Sequence, residues 1–191
     1  MKLMIIKNMN FRILLLIISL TFFIKPGFSY DILIDPTRNG IKHNNRGIVY
    51  MQEGYIPQAI KEFQIAIELN PNMETTGIYY DNMGKCYMKL GVYKMAINCF
   101  ELAIKQNPMC FLYYQHLVEG FKHEKILEKK KAQYQQKIKN NYLNTIIVAL
   151  ILIENGKIEE GKKMLQGFIQ NEPKIYISHS IKQYLKNNFK S

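Results

Sequence analysis

The sequence predicts an all-α chain built as an array of antiparallel helix pairs. Three observations lead there: an internal period of 37 residues, apolar stripes at helical spacing inside each period, and glycine and proline punctuation between the stripes. Length and composition agree, since 191 residues at 48% hydrophobic and 21% charged can bury a core and are neither disordered nor fibrous.

The first thirty residues read as an address rather than as part of the array. Met1 to Arg12 carries three positive charges and no acid, and Ile13 to Ile24 is an apolar run broken only by Ser19 and Thr21. Lys25, Pro26 and Gly27 end that run, and Gly27 and Ser29 place small residues at the −3 and −1 positions of a cut before Tyr30. A positive start, a short apolar stretch and a small-x-small end describe a secretory signal peptide over 1–29, with 30–39 as a linker. A spanning helix needs about 20 apolar residues, so an uncleaved anchor is the lesser alternative. The expected location is periplasmic or secreted. Four of the charges behind the net +11 (Lys2, Lys7, Arg12 and Lys25) precede residue 30, which leaves +7 for a chain starting at Tyr30. Cys86, Cys99 and Cys110 are odd in number, so they read as small buried apolar residues, or as one disulfide with a spare thiol.

Residues 40–73 and 77–110 align without a gap, with fourteen identities in thirty-four positions. Self-similarity at such a period marks a stacked repeat. In the first copy, Gly47, Tyr50 and Gly54 fit a helix that a neighbouring backbone approaches closely and that glycine terminates. Pro57 falls in the first turn of a second helix, where its missing N–H is harmless. Ala59, Phe63, Ala66 and Ile67 form the stripe of that helix, and Pro71 stops it. The second copy repeats the pattern with Gly84, Tyr87, Gly91, Ala96, Phe100, Ala103 and Pro108.

Later units are more degenerate. In 111–141 the grid puts Tyr114, Leu117, Val118 and Phe121 on a first helix and replaces the turn glycine by Lys125. Ala132, Tyr134 and Ile138 are left as the apolar remnant of its second helix. In 142–175, Val148, Ala149, Leu152, Gly156, Gly161, Leu165, Phe168 and Pro173 sit on the grid, and the first helix is apolar all round, hence buried. In 176–191, Ile177, Ile181, Tyr184 and Leu185 face away from Lys182, Gln183, Lys186 and Asn187, as a helix that closes an array requires.

This grammar resembles the tetratricopeptide repeat, a helix–turn–helix of 34 residues with G-x2-Y, A-x3-F, A and P at fixed positions. The signature Trp is absent, with His43 and Tyr80 in its place, and Arg46 and Met83 stand at the Leu position. The resemblance implies a right-handed superhelical solenoid with a C-terminal capping helix. It also implies a concave groove lined by first helices, here through Ile41, Asn44, Ile48, Met51, Ile78, Asp81, Lys85 and Met88. Such a groove suits an apolar peptide or helix of a partner protein, although Met51 and Met88 equally fit packing between units.

No HExxH, GxSxG, P-loop or Rossmann pattern occurs, and the four histidines show no zinc spacing. The expectation is therefore a non-catalytic interaction scaffold of the bacterial cell envelope, with no cofactor, no metal and no evident small-molecule substrate. A second reading comes from Lys122, Lys125, Lys129, Lys130, Lys131, Lys137 and Lys139, set against only Glu124 and Glu128. That segment is either a dock for anionic lipid or nucleic acid, or a solvated helix face.

Overall fold

The computed structural model describes residues 36–189, within the unit Asp35–Ser191. The expected signal peptide and the first part of the linker lie outside the described residues. Helices α1 (Pro36–Gln52) and α2 (Ile56–Leu69), α3 (Glu74–Lys89) and α4 (Tyr93–Gln106), α5 (Phe111–His123) and α6 (Leu127–Lys137), and α7 (Asn144–Glu154) and α8 (Ile158–Asn171) follow one another as four pairs, then α9 (Tyr176–Asn188). No strand is present among the described residues. Residues 36–39, expected as linker, belong to α1, because Pro36 at the helix start has its φ already set for helix and no N–H to leave unbonded.

The same turn reverses the chain in every pair. Gly54, Gly91, Lys125 and Gly156 are left-handed, at φ 87°, 73°, 62° and 81°. The next residue then donates its N–H back five residues along the chain: Tyr55 to the Tyr50 carbonyl at 2.8 Å, Val92 to Tyr87 at 2.9 Å, Ile126 to Phe121 at 3.0 Å and Lys157 to Leu152 at 2.9 Å. These are Schellman closures, and they satisfy carbonyls that the helix end leaves open. The apolar contact that accompanies such closures is visible in the Tyr50–Tyr55 edge contact at 6.3 Å.

Counting from this turn organises the packing. Seven residues before it stand Gly47, Gly84, Val118 and Ala149, and nine after it stand Phe63, Phe100, Tyr134 and Leu165. A Cβ on Gly47 would meet Phe63 Cε1 at 2.6 Å, and one on Gly84 would meet Phe100 Cε1 at 2.5 Å. Both phenyl rings are fully buried. Burial of each ring contributes about 1.5–3 kcal/mol, and the missing side chain on the facing helix lets it happen. The fourth pair inverts the sizes. Gly161 on α8 now supplies the close approach, its Cβ position 2.6 Å from the Ala149 carbonyl oxygen, while Phe168 takes the place of Ala66 and Ala103.

The third pair departs most. Its second helix, α6, buries no residue, and Ala132, expected on an apolar remnant, is exposed. Lys130 and Lys137 occupy the places that alanines hold in the first two pairs. Helix α5 instead packs directly on α7 and touches α9. Tyr114, Leu117, Val118 and Phe121 join Ile146, Ile147, Leu150 and Ile151 in the larger of two cores. The smaller core, around Ile56, Phe63, Met83, Cys86 and Cys99, holds the first two pairs together.

The three cysteines are free thiols, with Cys86 and Cys99 buried. Burial pushes the Cys86 thiol up to about 11 and that of Cys99 to about 12. Burial likewise raises Tyr114 and Tyr134 above the ordinary tyrosine value. The native chain therefore keeps protons that the unfolded chain, with thiols near about 8.5, gives up first.

Two outcomes follow. Lys125→Gly removes a side chain from a left-handed position and should stabilise the chain by about 0.5–1 kcal/mol, read as a rise in thermal midpoint of about 2–4 °C. Stability should hold up to about pH 8.5 and then fall as pH climbs toward the raised native values, seen as a lower urea midpoint at about pH 10.5 than at about pH 8. An unchanged midpoint across that interval would show that the buried thiols and phenols ionise as freely in the native chain as in the unfolded one.

Candidate interaction groove

The first helices of successive pairs touch in series, α1 on α3, α3 on α5 and α5 on α7. Thirteen residues before each turn, this row carries Ile41, Ile78 and Leu112 in turn. They are 44%, 46% and 47% exposed, a nearly constant value for aliphatic side chains at one repeat position on three neighbouring helices. The fourth member, Leu143, is buried and ends the column. Leu112 is absent from the expected groove set. Its signal was available in the spacing, because Lys125 marks the third turn as the glycines mark the others.

The remaining expected groove residues have other duties. Asn44 and Asp81 are buried and are not presented to a ligand, contrary to the expectation. Asn44 Oδ1 accepts a hydrogen bond from Asn82 Nδ2 at 2.9 Å, joining α1 to α3. Asp81 Oδ1 accepts one from His116 Nδ1 at 2.6 Å, joining α3 to α5, and its other oxygen meets Lys85 Nζ at 3.0 Å. The two joints use the same repeat positions, one residue apart, on consecutive helices. Gln115 and Ile147 occupy those positions at the next step, so polar joining gives way to apolar packing there.

These bonds are needed because a buried amide or carboxylate without a partner costs about 1–3 kcal/mol or more. Lys85 is thus committed to Asp81, while Ile48, Met51 and Met88 are half-buried against the two cores. Of the eight expected residues, only Ile41 and Ile78 stand open to solvent. His43 and Arg46, which occupy the Trp and Leu positions of the repeat signature, converge instead on Glu62 of α2 at 2.6 and 3.5 Å.

Much of the lysine segment is engaged within the chain. Lys122 meets Glu154 at 2.8 Å, and that carboxylate raises its pKa. Lys130 reaches Glu101 at 3.5 Å and lies 5.0 Å from the centre of the Phe121 ring. Lys131 pairs with Glu128 at 2.6 Å, and Lys137 sits 5.8 Å from the Tyr134 ring. Lys125, Lys129 and Lys139 are exposed. His116 and His123 do not form a pair either: the first holds Asp81, and the second stacks on Tyr93 at 5.0 Å. Among the described residues, no group of three or more metal-ligating side chains converges.

Two segments match models of the tetratricopeptide repeat, residues 41–73 and residues 78–108. No curated protein sequence matches the chain. Among solved structures, it is similar to the first tetratricopeptide domain of Spaghetti (RPAP3) bound to an HSP90 peptide, with 18% identity over 63% of this chain and 95% of that one, at a TM-score of 0.48. MamA is similar at 20% identity over 73% of this chain and 81% of its own, also at 0.48. YrrB, a tetratricopeptide protein with an unusual peptide-binding site, aligns at 16% identity over 78% and 79%, again at 0.48. The two matched segments are tetratricopeptide repeats, and the chain is a tetratricopeptide-repeat protein.

Proposed function

We propose that this protein is a non-catalytic scaffold of the bacterial cell envelope that holds a segment of a partner protein along the inner row of first helices. The observation that carries the reading is the column of Ile41, Ile78 and Leu112, three aliphatic side chains left nearly half open at a constant repeat position. Water contact at three such sites is unfavourable at about 25 cal/mol per Å² of apolar area, so an apolar ligand segment lying across them is stabilised. The polar joints at Asn44–Asn82 and Asp81–His116 hold the helices that carry the column, so the surface is set before the partner arrives.

The envelope location rests on the sequence of residues 1–29, with its basic start, apolar run and small residues before Tyr30. Among the described residues no helix is long and apolar enough to cross a membrane. Docking to an anionic surface through the lysine segment is the weaker reading, because Lys122, Lys130 and Lys131 are already paired with carboxylates.

Crosslinking from native envelopes with tagged, full-length protein distinguishes these readings. Ile78→Glu, a substitution on an exposed position, should reduce recovery of the specific partner about tenfold or more, whereas Lys125, Lys129 and Lys139 all changed to Gln should leave it unchanged. Capture that survives Ile78→Glu but disappears in the lysine variant, or in moderate salt, would transfer the function to the basic segment. N-terminal sequencing of the same material should place the mature start near Tyr30; retention of residues 1–29 would replace export and cleavage with anchoring.

A further inference from the structure

The degenerate third pair leaves a cleft beside its second helix. Where the alanines and phenylalanine of the first two pairs bring the second helix flush, α6 presents Lys130, Tyr134 and Lys137, none of them fully buried. A cleft of about 240 Å³ opens between α6, the end of α4, α5 and the start of α7. Its floor is apolar, formed by Ile104, Leu117 and Ile147, and its walls carry Glu101, Lys137 and Asn144.

The polar walls are incompletely used. Tyr134 OH donates to Glu101 at 3.0 Å and Lys130 Nζ does so at 3.5 Å, and both bonds land on Oε1. Among the described residues Oε2 receives no hydrogen bond and Lys137 Nζ has no carboxylate partner. The lysine lies beside the Tyr134 ring, at 5.8 Å. Asn144 is 9% exposed and donates through Nδ2 to the Lys137 carbonyl at 3.1 Å, which leaves its Oδ1 as an acceptor on the wall.

A cleft with one anionic and one cationic group over an apolar floor discriminates by charge pattern. A simple anion leaves Glu101 Oε2 without a partner, a simple cation leaves Lys137 without one, and an uncharged apolar molecule strips water from both without compensation. A zwitterion satisfies the two together. A volume of about 240 Å³ has room for a small molecule of amino-acid size.

We propose that this cleft binds a free α-amino acid with a medium-sized apolar side chain. Its ammonium group sits on Glu101 Oε2 and Asn144 Oδ1, its carboxylate on Lys137 Nζ, and its side chain on Ile104, Leu117 and Ile147. The site is separate from the Ile41–Ile78–Leu112 column and does not depend on the groove reading.

Calorimetric titration of the purified chain with L-leucine and L-methionine tests it, beside leucine's decarboxylated and deaminated analogues, 3-methylbutylamine and 4-methylpentanoate. Saturable binding of at least one amino acid is expected, with each analogue weaker by about tenfold or more, since each removes one charged hydrogen bond. Lys137→Met and Glu101→Gln should each weaken binding by a similar factor, and Lys129→Met should not. Lys137 is exposed at the end of α6, so its replacement leaves the fold intact, and the analogue comparison needs no variant at all. Absence of saturable binding for both amino acids up to about 10 mM overturns the proposal. So does equal binding of an analogue and its parent, or binding indifferent to Lys137→Met.

Discussion

The approach of a glycine backbone to a phenylalanine ring, Gly47 on Phe63 and Gly84 on Phe100, is the constraint on which the rest of the structure depends. It fixes how close the two helices of a pair lie. That closeness buries Phe63 and Phe100 completely and lets the next first helix seat against the pair. The row of first helices, its polar joints and its exposed aliphatic column are consequences of stacking units of this one thickness. Ala59 and Ala103, both fully buried, keep the facing surface small beside the ring.

Where the chain abandons the contact, it substitutes other physics. In the fourth pair Gly161 moves the close approach to the other helix, and Leu165 with Phe168 refills the space. In the third, Val118 occupies the glycine position and Tyr134 the phenylalanine position, so α6 cannot lie flush and is held through Glu101. The core then bypasses α6, with α5 sealing directly on α7. The cleft beside α6 arises from the same substitutions that loosen the repeat.

Much of this was legible in the sequence because the punctuation is physical. A glycine at three of the four left-handed turns, prolines after the second helices, and small and large residues at fixed offsets leave few alternatives to paired helices. The polar joints were not legible. Asn44 and Asp81 stand where the repeat resemblance places groove residues, and nothing in one strip of sequence shows that Asn82 and His116 of the following helices reach back to them. The lysine segment misleads for a related reason. Its charge is countable, whereas the partners Glu101 and Glu154 lie 29 and 32 residues away. Leu112 shows the opposite case, a residue that becomes readable once Lys125 is recognised as a turn residue in spite of its side chain.

The measurement that tests the central claim most directly is a double-mutant cycle between Gly84 and Phe100, followed by urea unfolding. Gly84→Ala forces a methyl group into the ring, and Phe100→Leu removes Cε1, the atom it strikes most closely. The account predicts that the double variant is more stable than the sum of the single losses implies, by about 1 kcal/mol or more. Simple additivity of the two losses would contradict it and would mean that the spacing of the helices is set elsewhere.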